Sequence, residues 1–374
     1  MEALPAGKQL NEGRYTIARE INRGATAVVY EAYDKTNDMQ TALKVMNSQD
    51  GHMSVPLKIV KREVEYASSM RHDNIVRLLD VFAEGKQLIL VWELIQGPDL
   101  LDLLNECGGR MPEDMTAFYF HQLLRGVVFM HANGFCHRDL KPENCMVSKE
   151  TEHLKLIDFG LSKHLDSVNT LGVGTPDYMA PEMLGVVPTQ ASSGGPKYDA
   201  SAVDVWAMGV MLYLLVTGVY PFEDPNHPNS LSHTLQNIRN GKIKQLPPKI
   251  SQACGDLIRQ LLEMHPTKRI SLKKIAENKW LLTNAKSYAN KVGRPDLFNP
   301  QMDGLSSDSV ELEEVPEESA MPETNSDGKE NRADGAVIDE SEDAGDVGCF
   351  GEKQEKPSKG KWTSRLKRLF FGKS

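Results

Sequence analysis

The alternation of apolar and polar residues gives the first part of the chain a β-rich character. Between Tyr15 and about Leu90, short runs of β-branched and aromatic residues are separated by turns, which predicts an antiparallel sheet. The predicted strands are Tyr15–Ile21, Ala27–Tyr33, Thr41–Met46, Leu79–Ala83 and Gln87–Val91. One stretch, from Leu57 to Met70, has helical spacing instead.

After Gly97 the apolar spacing becomes helical. The clearest case runs from Glu113 to Ala132 and stops before Gly134. Further helices are predicted at Ala200–Thr217, Ser251–Leu262 and Ser271–Asn278. We therefore expect an α+β fold of two lobes: a small β-rich lobe over 15–92, a hinge over 93–97 and a larger helical lobe over 98–282. A cleft between two lobes is a usual place for a ligand.

Charge is distributed very unevenly along the 374 residues, whose net charge is −9. Residues 301–348 hold sixteen Asp and Glu against two Lys and Arg, a net of −14, whereas 349–374 carry +6. Residues 283–300 are predicted to be a linker. The acidic stretch has too few apolar residues to offset the entropy of ordering and is predicted to be disordered.

The last basic segment, 359–371, has an apolar helical face formed by Trp362, Leu366, Leu369 and Phe370, with basic residues opposite. Such a segment suits a calmodulin-like partner, an anionic membrane surface or an autoinhibitory contact, and these alternatives stay open.

Several features bear on where the protein acts. The five cysteines have irregular spacing without a C-x-x-C pair, which favours free thiols in a reducing compartment. Residues 1–15 contain no apolar signal segment, and the apolar run Val205–Val219 is shorter than a membrane span needs. We expect a cytoplasmic protein, with the nucleus as a second location. A monomer without a nucleic-acid partner is expected.

A turn rich in small residues separates the first two predicted strands. Small residues let backbone N–H groups approach phosphate oxygens, although only Gly24 is a glycine, and Asn22 and Ala27 take the places of two others. Taken alone, the turn favours a plain hairpin. A second signal is Lys44 on a predicted strand, where a half-buried cation needs anionic partners such as Glu63 or nucleotide phosphates.

The most specific pattern is the run His-Arg-Asp-Leu-Lys-Pro-Glu-Asn at residues 137–144. Asp139 could accept a proton from an attacking hydroxyl, Lys141 could neutralise a transferring phosphoryl group, and Asn144 offers an oxygen to Mg²⁺. A short strand then leads to Asp158 of an Asp-Phe-Gly triplet, which adds a second oxygen ligand, as clamping of phosphates by two metal ions requires.

Together these motifs resemble those of a eukaryotic serine/threonine protein kinase, from about residue 15 to 282. The Ala-Pro-Glu triplet ending at Glu182, its usual partner Arg269, and Asp204 at the start of Asp-Val-Trp-Ala-Met-Gly extend the match. Residues 203–225 are similar to the calcium/calmodulin-dependent kinase group, and lean towards AMP-activated and plant stress-activated relatives.

The resemblance implies the protein kinase fold, ATP as the phosphoryl donor, Mg²⁺ as cofactor and proteins as substrates. It assigns catalysis to Asp139, Lys141, Lys44 and Glu63, and the metal to Asn144 and Asp158. It implies that ATP is bound by Ile21, Asn22, Arg23, Gly24, Ala25, Thr26, Ala27, Val28, Val29, Ala42, Lys44, Glu93, Ile95 and Asp99.

The same resemblance raises questions of regulation and specificity. Activation-loop phosphorylation is expected at Thr170, with Ser167 and Thr175 as further candidates, unless Asp166 supplies the anion for Arg138. Asp99 and Glu143 lie where basic-directed kinases hold an arginine three residues before the target hydroxyl.

Two departures from the family pattern are Asn22 and a large gatekeeper residue, Trp92. A pseudokinase on the same fold is the main alternative, and a small-molecule kinase is a third. The full set of Lys44, Asp139, Asn144 and Asp158 argues against the pseudokinase.

Overall fold

A computed structural model of the chain describes residues 3–304, except for 25–26, 50–51, 54–63, 65–66, 86, 159–162, 165–175, 186–190, 193–194 and 197–198. The described residues belong to one structural unit. The tail segments 305–374 lie outside them, and so does most of the helix expected between Leu57 and Met70.

The N-terminal lobe is built on an antiparallel sheet. Its strands are β1 (Gln9–Leu10), β2 (Tyr15–Arg23), β3 (Ala27–Asp34), β4 (Met39–Gln49), β5 (His52–Met53), β6 (Leu78–Glu84) and β7 (Gln87–Glu93). They lie in the order β1-β2-β3-β4-β7-β6, with β5 paired to β4. All five predicted strands are confirmed, each extended by one to five residues.

The two faces of this sheet have different partners. Tyr15, Val28 and Leu43 are almost fully buried in a core that belongs to the lobe itself. Met46 and Trp92 point to the other face and join the core that continues into the helical lobe. Because strand side chains alternate between faces, Lys44 in β4 shares its face with Met46. The lysine is therefore directed towards the helical lobe.

The second lobe is mainly helical. Its helices are α1 (Leu100–Glu106), α2 (Glu113–Ala132), α3 (Ala200–Thr217), α4 (Leu231–Arg239), α5 (Gln252–Leu261), α6 (Leu272–Ala276) and α7 (Lys279–Lys291). Among them α3 is the central helix: the Asp199 side chain caps its start, and Gly218, with φ +83°, ends it. Helix α3 is long and apolar enough to span a membrane, but 89% of it is buried inside the protein. The helix predicted at Ala200–Thr217 is confirmed with the same bounds.

Short strands in the second lobe carry the loops of interest. They are β8 (Phe135–Cys136), β9 (Cys145–Val147), β10 (Leu154–Leu156), β11 (Lys163–His164), β12 (Ala191–Ser192) and β13 (Gly195–Pro196). β9 and β10 form an antiparallel hairpin, and β11 pairs with β8. Four cysteines, Cys107, Cys136, Cys145 and Cys254, are free thiols, as expected.

The structure differs from the sequence prediction after residue 282. Residues 283–300, predicted to be a linker, form most of α7 and a 3₁₀ turn at Pro295–Leu297. Helix α7 packs on α2 through the buried Ala285 and Ala289. These small side chains give a weak hydrophobic signal, which explains why the sequence pattern did not reveal the helix.

Candidate active site

The hairpin of β9 and β10 brings the two predicted metal ligands together. In its register Leu156 lies opposite Cys145, so Asn144 directly precedes one strand while Asp158 follows shortly after the other. A hydrogen bond of 2.9 Å from Ile157 N to Asn144 O extends the pairing beyond the strands. The spacing of the two motifs in the sequence is thus the length of one β-hairpin.

Asp139 lies beside Lys141 and Asn144, the two other candidate site residues of its motif. Nζ of Lys141 is 2.9 Å from Oδ2 of Asp139. Nδ2 of Asn144 donates to the Asp139 carbonyl over 2.7 Å and to Oδ2 over 3.1 Å. These contacts fix the orientation of the carboxylate, whose side chain remains 14% exposed and so accessible to a substrate.

The loop that carries Asp139 is held from below by Asp204 of helix α3. Oδ2 of Asp204 accepts from His137 N over 2.8 Å, and Oδ1 accepts from Arg138 N over 2.7 Å. Nε2 of His131 lies 2.7 Å from Oδ2. Complete burial opposes the charge on Asp204, but these hydrogen bonds outweigh it and keep its pKa below the ordinary value.

Lys44 reaches the metal-ligand edge from the opposite lobe. Its Nζ donates to Oδ1 of Asp158 over 3.0 Å, across 114 residues of sequence. The Lys44 side chain is only 19% exposed, so this ion pair connects the two lobes in a partly shielded position. Glu63, the other expected partner of the lysine, lies outside the described residues.

The turn between β2 and β3 forms the hairpin that the sequence predicts. Gly24 N donates to Ala27 O over 2.9 Å, and Asn22 lies opposite Val29 in the register. Among the described residues, a Cβ added at Gly24 would meet only Ala27 O at 3.6 Å, an ordinary contact. The fold itself therefore does not require glycine here. Of the predicted ATP-binding residues, Ala25 and Thr26 lie outside the described part.

The hinge follows β7, whose last residue is Glu93. Glu93 N donates to Arg77 O over 3.0 Å, and its carboxylate accepts from Lys155 Nζ over 2.9 Å. These contacts fix Glu93, the first residue of the hinge, to Arg77 and Lys155. Ala42 on β4 pairs with Trp92, and Ile95 lies partly exposed just beyond β7.

The end of the hinge is packed very tightly. A Cβ on Gly97 would lie 1.9 Å from Val147 O, so only glycine fits against β9. Asp99 caps helix α1 by accepting from Asp102 N over 2.8 Å. The Asp99 side chain, predicted to bind the ligand, therefore also has a structural role as the N-cap of α1.

The residues at the lobe interface fit a magnesium–nucleotide complex. Because Asn144 uses Nδ2 for Asp139, its carbonyl oxygen is available, and the Asp158 carboxylate is half exposed. Carboxylate and amide oxygens are ligands that Mg²⁺ prefers, and Lys44 beside them suits a phosphate group.

A buried ion pair lies farther from the site. Arg269 Nη1 and Nη2 donate to the two carboxylate oxygens of Glu182 over 2.7 Å and 3.0 Å. The pairing expected from the family motif is confirmed. The phosphorylation candidates Thr170, Ser167 and Thr175 lie outside the described residues.

Sequence reasoning missed His131 and Lys155. Their partners, Asp204 and Glu93, lie 73 and 62 residues away, so neither pair leaves a local pattern in the sequence. The one available signal is that a carboxylate in or next to a predicted core helix or strand, such as Asp204 or Glu93, needs a hydrogen-bond donor.

Comparison with known proteins agrees with this geometry. The family model for the protein kinase domain matches residues 15–281. The chain belongs to the protein kinase domain family. That match confirms the resemblance seen in the sequence, and its limits differ by one residue from the expected 15–282.

The similar proteins include plant kinases. CBL-interacting protein kinase 19 of Oryza sativa subsp. japonica is 35% identical over 281 residues, covering 74% of this chain and 52% of that protein. CBL-interacting serine/threonine-protein kinase 12 of Arabidopsis thaliana is 35% identical over 305 residues, covering 80% and 59%. CBL-interacting serine/threonine-protein kinase 9 of Arabidopsis thaliana is 32% identical over 315 residues, covering 83% and 67%. This chain spans about half the length of the first of these relatives.

Proposed function

We propose that this chain is a serine/threonine protein kinase that transfers the γ-phosphoryl group of ATP to hydroxyl groups of protein substrates, in intracellular signalling. One observation carries the proposal: Lys44, from the sheet lobe, contacts Asp158 at the edge where Asn144 and Asp139 also lie. Family membership and the names of the similar plant proteins support it.

Each residue of the site has a role that its surroundings support. Asp139, oriented by Lys141 and Asn144, accepts the proton of the attacking hydroxyl. Lys141, whose Nζ is 2.9 Å from Asp139, also neutralises charge on the transferring group in this proposal. Lys44 binds the phosphates of ATP. Bound Mg²⁺, held by Asn144 and Asp158, would neutralise phosphate charge.

A phosphotransfer assay with labelled ATP and a general protein substrate tests this proposal. Asp158→Asn and Asp139→Asn should each lower kcat by at least about a hundredfold, because each removes a carboxylate that acts at the reacting centre. Asp102→Asn, an exposed acid on α1, is the matched control and should keep wild-type turnover.

The pseudokinase alternative makes a different prediction for the same proteins. A pseudokinase would show no turnover even as wild type, whatever its affinity for ATP. Wild-type protein without label transfer, or an Asp158→Asn protein as active as wild type, would therefore contradict the proposal.

We also propose that the substrates carry an arginine or lysine three residues before the target hydroxyl. Oε2 of Glu143, four residues after Asp139, is buried and has no hydrogen-bond partner within the described part of the chain. A guanidinium group would supply the missing donors. Asp99, at the start of α1, offers a second carboxylate.

Paired peptides with Arg or Ala at that position test the preference. Since a hydrogen bond to a charged group contributes about 1.5–3 kcal/mol, the Arg peptide should have a KM at least about tenfold lower. Glu143→Gln should shrink this difference, whereas Glu106→Gln, an exposed acid on α1, should not. Equal KM values for both peptides with the wild-type enzyme would refute the preference.

The basic segment 359–371 is proposed to bind a regulator, with a calmodulin-like protein and an anionic membrane surface as the two candidates. The segment lies outside the described residues. Its composition supports the idea, and so do the names of the plant relatives, which describe those proteins as CBL-interacting. Binding of the full chain to calcium-loaded calmodulin and to phosphatidylserine vesicles, each compared with a chain ending at residue 358, tests both. If truncation weakens neither interaction, the segment binds neither candidate and the proposal is wrong.

A further inference from the structure

The loop between α3 and α4 gathers two histidines and an aspartate outside the active site. Asp224, His227 and His233 each offer one potential ligand atom, and these three atoms lie within 4.8 Å of one another. The proposed phosphoryl transfer uses none of the three.

The local backbone brings His227 back to Asp224. Oδ1 of Asp224 accepts from Asn226 N over 2.8 Å, and His227 N donates to Asp224 O over 3.1 Å. This turn places Nδ1 of His227 3.5 Å from Oδ2 of Asp224. The bond from Asn226 to Oδ1 leaves Oδ2 of Asp224 facing His227.

The third residue comes from the first turn of α4. Oγ of Ser230 lies 2.7 Å from Nδ1 of His233 and orients the ring, while Nε2 remains for another partner. The rings of His227 and His233 stack with centroids 4.0 Å apart and an interplanar angle of 4°. Two imidazoles from separate turns are thereby held face to face beside one carboxylate.

The residues flanking this group are anchored, so the loop is preformed. Asn237 Nδ2 donates to Phe222 O over 2.9 Å, which ties the start of the loop to α4. Lys244 Nζ lies 2.9 Å from Glu223 Oε2, so the neighbouring acid is already neutralised. Within the described part of the chain, the cluster consists of Asp224 and the two histidines.

We propose that Asp224, His227 and His233 form a binding site for a zinc-like divalent cation, distinct from the magnesium site of phosphoryl transfer. Two imidazole nitrogens and one carboxylate are a donor set typical of Zn²⁺ and its transition-metal neighbours. Mg²⁺ and Ca²⁺ prefer oxygen ligands only, which disfavours them here.

The distances allow coordination after a small rearrangement. Ligand bonds of about 2.0–2.1 Å in a tetrahedral site place two ligand atoms roughly 3.3 Å apart, close to the 3.5 Å between Asp224 and His227. Two parallel rings cannot both hold one ion in their planes, so one ring must turn. His227, whose side chain is 55% exposed, has the space to do so. A bound ion would then attach the loop to the first turn of α4.

Another cluster in the described residues shows by contrast why this one is suitable. His131, Cys136 and Asp204 also lie within ligand distance of one another. Both Asp204 oxygens, however, already accept hydrogen bonds from the backbone N–H groups of His137 and Arg138. A metal ion there would have to displace bonds that hold the active site, whereas Asp224 keeps Oδ2 on the side of the two histidines.

Zinc binding to the full chain, measured by equilibrium dialysis or calorimetry with ZnCl₂ alone, tests the site. His227→Gln and His233→Ala should each weaken one zinc-binding equivalent by at least about tenfold, since even residues that only support a ligand cost 10–100-fold. His265→Ala, an exposed histidine elsewhere, is the matched control and should bind as wild type does. Millimolar Mg²⁺ should not compete.

Cobalt absorption gives an independent readout. Co²⁺ in a site with two imidazoles and a carboxylate should give visible bands that weaken in both histidine variants. If His227→Gln and His233→Ala bind zinc as tightly as wild type, the proposal is wrong, whatever other sites the chain contains. Asp158→Asn should bind zinc normally, so failure of the kinase proposal and failure of this one can be told apart.

Discussion

Two residues at the heart of the site have an unusual backbone. Arg138 has φ +67° and Asp158 has φ +61°, in the left-handed region that residues other than glycine seldom occupy. Such conformations cost about 1–3 kcal/mol each and persist only when the surroundings enforce them. Asp204, which accepts from Arg138 N, and Asn144, which accepts from Ile157 N, supply that enforcement.

At the scale of one side chain, Trp92 makes the clearest prediction. It is 8% exposed on β7, between Ala42 of β4 and Leu78 of β6. Its large ring fills space behind the hinge, so bulky ATP-competitive inhibitors that extend past this position should bind poorly. Trp92→Met keeps apolar contact with a more adaptable side chain and should raise their potency at least about tenfold.

Inhibition constants of small and bulky members of one inhibitor series provide the measurement. The small inhibitor should bind Trp92→Met and wild type equally, which separates access from general damage to the site. Trp280→Phe alters a tryptophan of α7 that contacts Glu113 and should change neither constant. Strong inhibition of the wild type by the bulky compound would show that the ring does not close this space.

The site was predictable in its residue types and order, because Asp139, Asn144 and Asp158 lie in compact motifs. The pairing of Lys44 with Asp158 was not, since the two are 114 residues apart and the lysine was expected to contact Glu63 or phosphates. A lysine on a half-buried strand indicates that an anionic partner is needed. The sequence does not state which of several acids provides the match.

At the scale of elements, one buried ion pair connects the turn at Pro181–Leu184 to the loop before α6. The side chains of Arg269 and Glu182 are 1% and 0% exposed. Removing one partner of such a pair leaves a buried charge and costs about 3–5 kcal/mol. Arg269→Ala should therefore lower the free energy of unfolding by about that amount, measured by urea denaturation.

Arg259 on α5 is the matched control for that variant. Its guanidinium is 58% exposed and pairs with Asp256 one turn away, so Arg259→Ala should cost no more than about 1 kcal/mol. Arg269 also lies 5.1 Å from the ring of Trp206, a contact that the alanine variant loses as well. Nearly equal unfolding free energies for the two variants would mean that the buried pair contributes little.

Helices were predictable where apolar periodicity and end signals coincide. Helices α2 and α3 have the predicted bounds, and α3 has the Asp199 cap and Gly218 to define its ends. Helix α1 has seven residues, too few to establish a period. Helix α7 was missed because its buried face uses alanines and because Asn278, expected to end α6, instead caps α7.

At the scale of the whole molecule, the two lobes share one core. Met46 and Trp92 of the sheet belong to the same apolar cluster as Leu123 of α2 and Leu212 of α3. The chain also continues past α7 onto α2, where Leu297 and Met302 are buried. The alternation along a strand predicts two faces but not their partners, so neither feature could be derived from the sequence pattern.

This extension covers two histidines whose protonation affects folding. His121 on α2 is 1% exposed and contacts the ring of Phe298, and His72 stacks on Phe129. Burial, with a smaller effect from the nearby charge of Arg125, lowers the pKa of each to about 4. The unfolded chain binds a proton on each below about pH 6.5, whereas the folded chain does so only near pH 4.

Stability should therefore fall as the pH decreases from 6.5 towards 4, because the unfolded state binds more protons in that range. Between pH 7 and pH 5 each histidine should account for about 2 kcal/mol of lost unfolding free energy. His121→Gln should remove its share of this loss, measured as the change in unfolding free energy from pH 7 to pH 5.

The quantity to compare is the change in unfolding free energy between pH 7 and pH 5, because His121→Gln alters packing against Phe298, and so the absolute stability, at every pH. His265→Gln changes an exposed histidine and should keep the wild-type dependence on pH. If His121→Gln has that same dependence, His121 is not the group that takes up protons on unfolding. A dependence reduced by about 2 kcal/mol between pH 7 and pH 5 would assign that share to His121. His72, whose Nε2 lies 3.6 Å from Oδ2 of Asp303 at the same junction of α2 and the final described segment, should contribute a share of its own.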